Sequence, residues 1–315
     1  MLIKFIPFSL AIVILIIFIG CQPPQQQRPN ESEPITKEIT QQIVTQLGDT
    51  LFIPIAKGEI AERYDTAAAN YETNPSTDNL IWLGRFAAYR GAYDEAIDLF
   101  SKGVKFFPDD PRFLRHRGHR YITIRKFDLA IIDLKKASEM IAGTSNEIEP
   151  DGMPNSSGIP ISSLHGNIWY HLGLAYYLVQ DWENALNAYQ NCLKAMNNDD
   201  NVVSSTNWLY LIERRMGNIN TQLLEPINNE MKIIENFAYL QNCLFYKDEI
   251  SAQELLAENG AASSNDAKLY AHANWYLYNG DTSSAKSLME QILEKDSWTS
   301  FGYIAAEADY AALFN

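Results

Sequence analysis

A spacing of 34 residues recurs along the first half of the sequence, and it constrains the fold more than any other feature. Two stretches separated by this distance carry a glycine, an aromatic residue and an alanine at matching positions. These are Gly84, Tyr93 and Ala96 in one stretch and Gly118, Phe127 and Ala130 in the next. A repeated unit of about 20 to 50 residues cannot bury its apolar face alone and must stack on its neighbours. The spacing therefore predicts a stack of similar small units.

The residues around the first glycine predict that each unit is a pair of helices. Leu80, Leu83, Gly84 and Ala87 are spaced i, i+3, i+4 and i+7, so they form one stripe on a helix. A glycine in this stripe lets a second helix approach closely, and Ala96 plays the same part on that second helix. We therefore expect close-packed antiparallel helix pairs.

A third copy of the unit carries the most specific motif in the sequence. It has the pattern W-x2-L-G-x2-Y followed by A-x3-aromatic. The residues are Trp169, Leu172, Gly173, Tyr176, Ala185 and Tyr189. This pattern resembles that of the tetratricopeptide repeat (TPR) family. The resemblance implies an all-α fold, a right-handed TPR-type α-solenoid of antiparallel helix pairs.

The resemblance also predicts how the chain is divided. The repeat domain covers residues 57–313, and a capping helix at 298–313 closes it. The repeats are expected at about residues 77–110, 111–144, 166–199, 201–232, 233–265 and 266–297. A loop rich in Gly, Pro, Ser and Asn, residues 145–165, is inserted between the second and third repeats. Long loops of this kind are commonly functional or disordered, so the insert is a lid, a binding loop or inert.

The N-terminal segment predicts that the protein is located in the bacterial cell envelope. Residues 1–20 contain an apolar run too short to cross a bilayer comfortably, and they end in Phe-Ile-Gly before Cys21. This ending resembles the lipobox of bacterial lipoprotein signal peptides, which implies cleavage before Cys21 and acylation of that cysteine. Residues 21–56 are then the acylated cysteine, a flexible Pro/Gln-rich tether and the start of an N-terminal cap. The residue after the acylated cysteine is Gln22, which favours a location of the protein in the outer membrane, on the side that faces the periplasm. An uncleaved anchor and an ordinary export signal are the alternatives.

Net charge argues against one class of partner. The chain has 39 acidic and 25 basic residues, giving a formal net charge of −14. This is the wrong sign for coating a phosphate backbone, so we expect no nucleic-acid partner.

Four arginines and two histidines lie within residues 112–120 of this acidic protein. In TPR arrays the matching helix stripe lines a concave groove, and by resemblance an extended peptide or a partner helix binds there. We predict a positive, aromatic-edged patch suited to an acidic protein or peptide, since arginine pairs well with carboxylates. Its predicted members are Arg85, Tyr89, Arg115, His119, Tyr170 and Tyr177. The predicted function is a membrane-anchored scaffold that binds a protein in this groove and has no catalytic activity.

Other interpretations of the same residues stay open. The arginines can pair with the protein's own acids, among them Asp78 and Asp110, and simply brace the stack. An enzyme, small-ligand or metal site is the second alternative, formed by His116, His119, His165 and His171 with the insert. No nucleophile elbow, phosphate loop or paired-carboxylate motif frames these residues, so we assign no catalytic residue, metal or cofactor. A structural spacer without a ligand is the third alternative.

Overall fold

The computed structural model describes residues 40–195, 198–257 and 261–315. The predicted signal peptide, the predicted lipidation site Cys21 and most of the predicted tether lie outside these ranges. In the described part the chain forms thirteen helices and one β-hairpin, which confirms the predicted all-α stack. None of the described helices is long and apolar enough to span a membrane. The helices are α1 (Glu59–Thr73), α2 (Thr77–Tyr89), α3 (Tyr93–Phe106), α4 (Pro111–Thr123), α5 (Phe127–Met140), α6 (Leu164–Leu178), α7 (Trp182–Ala195), α8 (Asp199–Arg215), α9 (Phe237–Tyr246), α10 (Ala252–Leu255), α11 (Ala262–Tyr278), α12 (Thr282–Leu293) and α13 (Phe301–Phe314).

The glycines of the repeats lie where two helices cross, as predicted. A Cβ atom on Gly173 of α6 would lie 2.7 Å from the Tyr189 ring of α7. A Cβ atom on Gly118 of α4 would lie 2.6 Å from Leu134 of α5. No real Cβ tolerates such distances, so only glycine permits these crossings. The aromatic or aliphatic residue of the second helix fills the space that glycine leaves, and each pair closes tightly.

A β-hairpin precedes the first helix, in the part of residues 21–56 where the start of an N-terminal cap was predicted. Strands β1 (Thr40–Val44) and β2 (Thr50–Pro54) pair antiparallel. Ile43 and Ile53 are buried against the first helix pair. Gln41 accepts a hydrogen bond from the backbone N–H of Asp94 at the start of α3 (2.9 Å). A two-stranded hairpin is marginal in water, so this packing against the helices accounts for its stability.

The fourth and fifth repeats differ from the predicted helix pairs. Helix α8 is followed by a short 3₁₀ turn at Thr221–Leu224 and a loop, and α9 is followed only by the four-residue α10. Pro226 cannot continue a helix, which explains the loop after the turn. The buried carboxylate of Asp200 on α8 holds the end of this loop, because it accepts backbone N–H bonds from residues 234, 235 and 236 at 2.8–2.9 Å.

The last helix lies against the inner face of the stack, where an open groove was predicted. Helix α13 packs against α11 and α12 as a cap does, but it also contacts α6. Its Glu307 pairs with Arg125, which follows α4, at 2.8 Å, and its Asp309 pairs with Arg215 of α8. The first helices of several repeats therefore face α13 instead of solvent. A partner segment cannot run along this face without displacing the chain's own helix.

The Arg125–Glu307 pair joins three distant parts of the chain. Both side chains are only 1% exposed. Glu307 also accepts a hydrogen bond from the backbone N–H of Gln46, in the hairpin turn, at 2.8 Å. The hairpin, the turn after α4 and helix α13 thus meet at one carboxylate.

We expect the substitution Glu307→Gln to lower the free energy of unfolding by about 3 kcal/mol or more, because it leaves the buried Arg125 charge without its partner. The matched control is Glu290→Gln on α12, whose carboxylate is about half exposed and forms only a weak pair. That change should stay within about 0.5 kcal/mol of the wild type. Urea unfolding followed by circular dichroism measures both, and equal unfolding midpoints would contradict a structural role for the buried pair.

Candidate ligand cavities beside the insert

The insert is fixed to the body of the protein and supplies side chains to a cavity. Its two arms run antiparallel, joined by a bridge between Ile148 and Ser163 and by the backbone bond from Glu149 N–H to Ser162 O (3.0 Å). Glu149 is buried, and its carboxylate accepts a hydrogen bond from Asn167 of α6 at 2.6 Å. This segment is therefore ordered against α6 and turns acidic residues inward.

Helix α4 carries the arginines and histidines opposite these acids. Asp110 caps its first turn, accepting from the backbone N–H of Arg112, and Pro111 occupies the first helical position. Helical periodicity then separates the basic residues into two sets. Arg112 and Arg117 face outward and pair with acids of the protein, Arg112 with Asp78 and Asp110 and Arg117 with Asp133. For this outer set, the bracing interpretation is correct.

The inner set surrounds a cavity of about 200 Å³, which we name the inner chamber. It lies between α2, α4 and the insert. Its polar lining comprises Arg85, Tyr89, Arg115, His116, His119, Arg120, Glu149, Asp151, Ser162 and Asn167. The Tyr89 ring packs directly on Gly152, where a Cβ would lie 2.5 Å from the ring, so the insert approaches α2 closely at this point.

A second cavity of about 460 Å³, which we name the outer cavity, shares a wall with the first. Both are lined by Arg115, His119, Ser162 and Asn167. One part of the remaining wall is aromatic, with Tyr170 and His171 of α6, Tyr239 of α9 and Phe301 of α13, and the rest is formed mainly by small and polar residues, including Glu235. The start of α13 thus forms one side of this cavity, and the helix that covers the inner face also shapes what remains open.

The histidines of the two cavities are held neutral. Burial, reinforced by the positive charges of neighbouring arginines, holds the pKa of His116, His119 and His171 well below the ordinary value. The geometry agrees for His116, because its Nδ1 lies 2.9 Å from an N–H group of Arg115, which can only donate. The Nε2 of that neutral ring then carries the proton and lies 3.2 Å from Glu149.

Three polar atoms at the inner chamber are buried without a hydrogen-bond partner in the described part of the chain. They are Arg115 Nε, Glu149 Oε1 and Asp151 Oδ2. Arg115 Nε lies 3.1 Å from Glu149 Oε2, so the two groups form an ion pair without reaching hydrogen-bond geometry. Arg115 Nε and Glu149 Oε1 still have a polar neighbour within 3.2 Å, Glu149 Oε2 and His116 Nε2 respectively, and Asp151 Oδ2 is the one of the three without such a neighbour. An unpaired buried carboxylate oxygen is rare and costly, so it marks the cavity as a place for a ligand with a hydrogen-bond donor.

The structure brings together most of the residues predicted for the binding patch. Arg85 and Tyr89 line the inner chamber, Tyr170 lines the outer cavity, and Arg115 and His119 line both. Tyr177 differs, because it is 1% exposed and its hydroxyl bonds to that of Tyr270 (2.7 Å). It lies in the core, where no ligand reaches it.

The histidine cluster is also smaller than predicted. His116, His119 and His171 lie together, whereas His165 contacts Thr144 at the outer end of the insert. Among the described residues, no group of three or more His, Cys, Asp and Glu is arranged to hold a metal ion. Glu149 was missed by sequence analysis, although the insert has three acids, at residues 147, 149 and 151, and directly follows the repeat that contains the arginine-rich helix.

Comparison with known proteins agrees with the helix pairs. Residues 168–203, which span α7 and parts of α6 and α8, match the family model of the tetratricopeptide repeat. The match confirms the predicted likeness to tetratricopeptide repeat proteins. No curated protein matches the sequence.

Several solved structures are similar to this protein at low sequence identity. A tetratricopeptide repeat protein from Parabacteroides merdae ATCC 43184 is 11% identical, with 79% of this chain and 93% of that chain covered and a TM-score of 0.49. YrrB, described as a TPR protein with an unusual peptide-binding site, is 12% identical, with 75% and 96% covered and a TM-score of 0.41. MamA AMB-1 is 19% identical, with 63% and 91% covered and a TM-score of 0.38.

We expect the stability of this protein to fall as the pH drops below about 6.5. Above that pH the cavity histidines are neutral in both states and have no effect. Below it the histidines bind protons in the unfolded chain but stay neutral in the folded chain. This difference lowers the free energy of unfolding by up to about 1.4 kcal/mol per pH unit for each histidine. Urea unfolding between pH 7.5 and 4.5 measures the free energy of unfolding at each pH. This free energy should fall less steeply with decreasing pH for His119→Gln than for the wild type. Parallel curves for the two proteins would show that His119 titrates normally when folded.

Proposed function

We propose that this protein is a non-catalytic scaffold that binds an acidic segment of a partner protein in the outer cavity. The observation that carries the proposal is the position of Arg115, which is 8% exposed and forms the wall between the two cavities. Arginine presents five N–H donors, and those of Arg115 that do not face Glu149 or His116 suit a further carboxylate. In this proposal the chain binds its partner and does not transform it.

The aromatic wall of the outer cavity supports binding of a protein segment. Tyr170 and Tyr239 bond to each other through their hydroxyls (2.9 Å), and Trp208 donates to Tyr170 (2.8 Å). These bonds fix both rings before a ligand arrives, so little side-chain entropy is lost on binding. Rigid tyrosines beside an arginine are typical of protein-binding surfaces. The volume of about 460 Å³ lies within the range of ordinary ligand sites.

The covering of the inner face by α13 determines the form of the ligand. An extended peptide running the length of the stack would have to displace buried Glu307 and Asp309 from their arginines. The outer cavity instead accepts a short stretch of chain. We therefore infer a short acidic segment as the ligand.

Blocking the mouth of the outer cavity tests this proposal. Ser263 is exposed and lines the cavity, so Ser263→Trp should obstruct entry without disturbing the core. Acidic peptides selected by phage display against the wild type should bind this variant at least tenfold more weakly in fluorescence polarisation. Binding should also weaken with added salt, since it depends on charge.

The matched control is Ser283→Trp, an exposed serine in the first turn of α12 that lines neither cavity. It should bind the selected peptides as the wild type does. If the library yields no binder, or if both tryptophan variants bind equally well, the outer cavity is not the partner site.

We also propose that the scaffold is anchored to a membrane through Cys21, in the bacterial cell envelope, with the outer membrane facing the periplasm as the favoured location. The support is the Phe-Ile-Gly-Cys sequence that ends the apolar run. Acyl chains on one cysteine bind a bilayer strongly, since each buried methylene contributes about 0.8 kcal/mol.

Cys21→Ala should prevent incorporation of labelled palmitate in the native cell and move the protein from the detergent phase to the aqueous phase after Triton X-114 partition. The substitution Cys192→Ala is the control, because this buried cysteine is far along the chain from the processing site. Unchanged labelling of the Cys21 variant would contradict lipidation at that residue.

A further inference from the structure

The inner chamber contains positive charge that the protein does not neutralise. Among the described residues, Arg85 and Arg120 have no carboxylate within 4.0 Å, although Arg112 and Arg117 of the same neighbourhood both do. Arg85 bonds to the Tyr89 hydroxyl (3.2 Å), and Arg120 lies over the Tyr93 ring. In a protein with 39 acidic residues, two partly buried arginines without an acid indicate that their partner is a ligand.

The net charge and the unpaired oxygen of Asp151 define that ligand. With the histidines neutral, the three arginines Arg85, Arg115 and Arg120 exceed the carboxylates Glu149 and Asp151 by one charge. One negative charge on the ligand balances the chamber, and a dianion would meet repulsion from the two carboxylates. Asp151 Oδ2 requires a hydrogen-bond donor. The ligand thus needs one acid group and a neighbouring hydroxyl group, because an amino group would be protonated at pH 7 and would cancel the negative charge.

The size of the chamber limits the ligand further. Its volume of about 200 Å³ is smaller than pockets for drug-sized molecules, which begin at roughly 300 Å³. Met153 lines the chamber and is exposed, so the chamber reaches the protein surface at this residue.

We propose that the inner chamber binds a small hydroxy acid with one negative charge, a role that goes beyond the partner binding assigned to the outer cavity. The acid group bonds to Arg120 and Arg85, and its hydroxyl group donates to Asp151.

Isothermal titration calorimetry and thermal denaturation of the full chain at pH 7 test this proposal with defined probes. D-glycerate and D-gluconate are the hydroxy-acid probes, and at least one of them should bind and raise the melting temperature. Acetate, which lacks donors, inorganic phosphate, which carries extra charge, and L-serine, a zwitterion without net charge, should bind at least tenfold more weakly. If neither hydroxy acid binds, the proposal is wrong.

The variant Arg120→Gln identifies the chamber as the site. It leaves no buried acid without a partner, so the protein should fold with a melting temperature at or above that of the wild type. Its affinity for the binding probe should fall at least tenfold, as expected for loss of a charged hydrogen bond. Arg112→Gln, on the same helix but outside both cavities, should bind the probe unchanged. Equal affinities of the two variants would overturn the assignment.

The two proposals fail independently. Acids that bind in the absence of any peptide binder support the inner chamber and contradict the partner site. Peptides that bind and are lost in Ser263→Trp, with no acid binding, support the partner site and contradict the inner chamber.

Discussion

The buried pair of Arg125 and Glu307 determines how this repeat stack differs from an open one. The two residues are 182 positions apart in the sequence. In an ordinary solenoid each repeat contacts only its neighbours, and stability is a sum of local contributions. Here one ion pair, strengthened by the N–H of Gln46, ties the hairpin, the second repeat and the last helix together. An array of local units becomes a structure whose parts depend on one another.

Much of the fold follows from the sequence because its signals are local. Gly118 and Gly173 have to lie at helix crossings, since the periodicity brings each against a large residue of its partner helix. The hairpin was missed because its strands are short and depend on packing against helices that come later in the chain. The position of α13 was missed for a related reason: Glu307 and Asp309 look like the polar face of a capping helix. Their burial depends on Arg125 and Arg215, which no local pattern connects to them.

The same distinction applies to the candidate sites. The repeat register correctly brings Arg85 and Arg115 to neighbouring helices, so the basic cluster was predictable. Tyr177 was misplaced because α11 and α13 cover it, which the register of the first three repeats does not reveal. Glu149 and Asp151 lie in a segment without periodicity, and only three-dimensional structure shows where such a loop returns. Sequence thus finds the arginines, but structure decides which of them lack a partner.

The distance along the chain between Gln46 and Glu307 also has a consequence for biosynthesis. A ribosome releases the amino-terminal hairpin and the first repeats long before it makes the carboxylate that joins them. Until then, Arg125 and the inner faces of the early helices remain exposed to solvent. Contacts between such distant residues slow folding and lengthen the time during which apolar surface is exposed. A nascent chain of this kind is a natural client for holding chaperones until its last helix emerges.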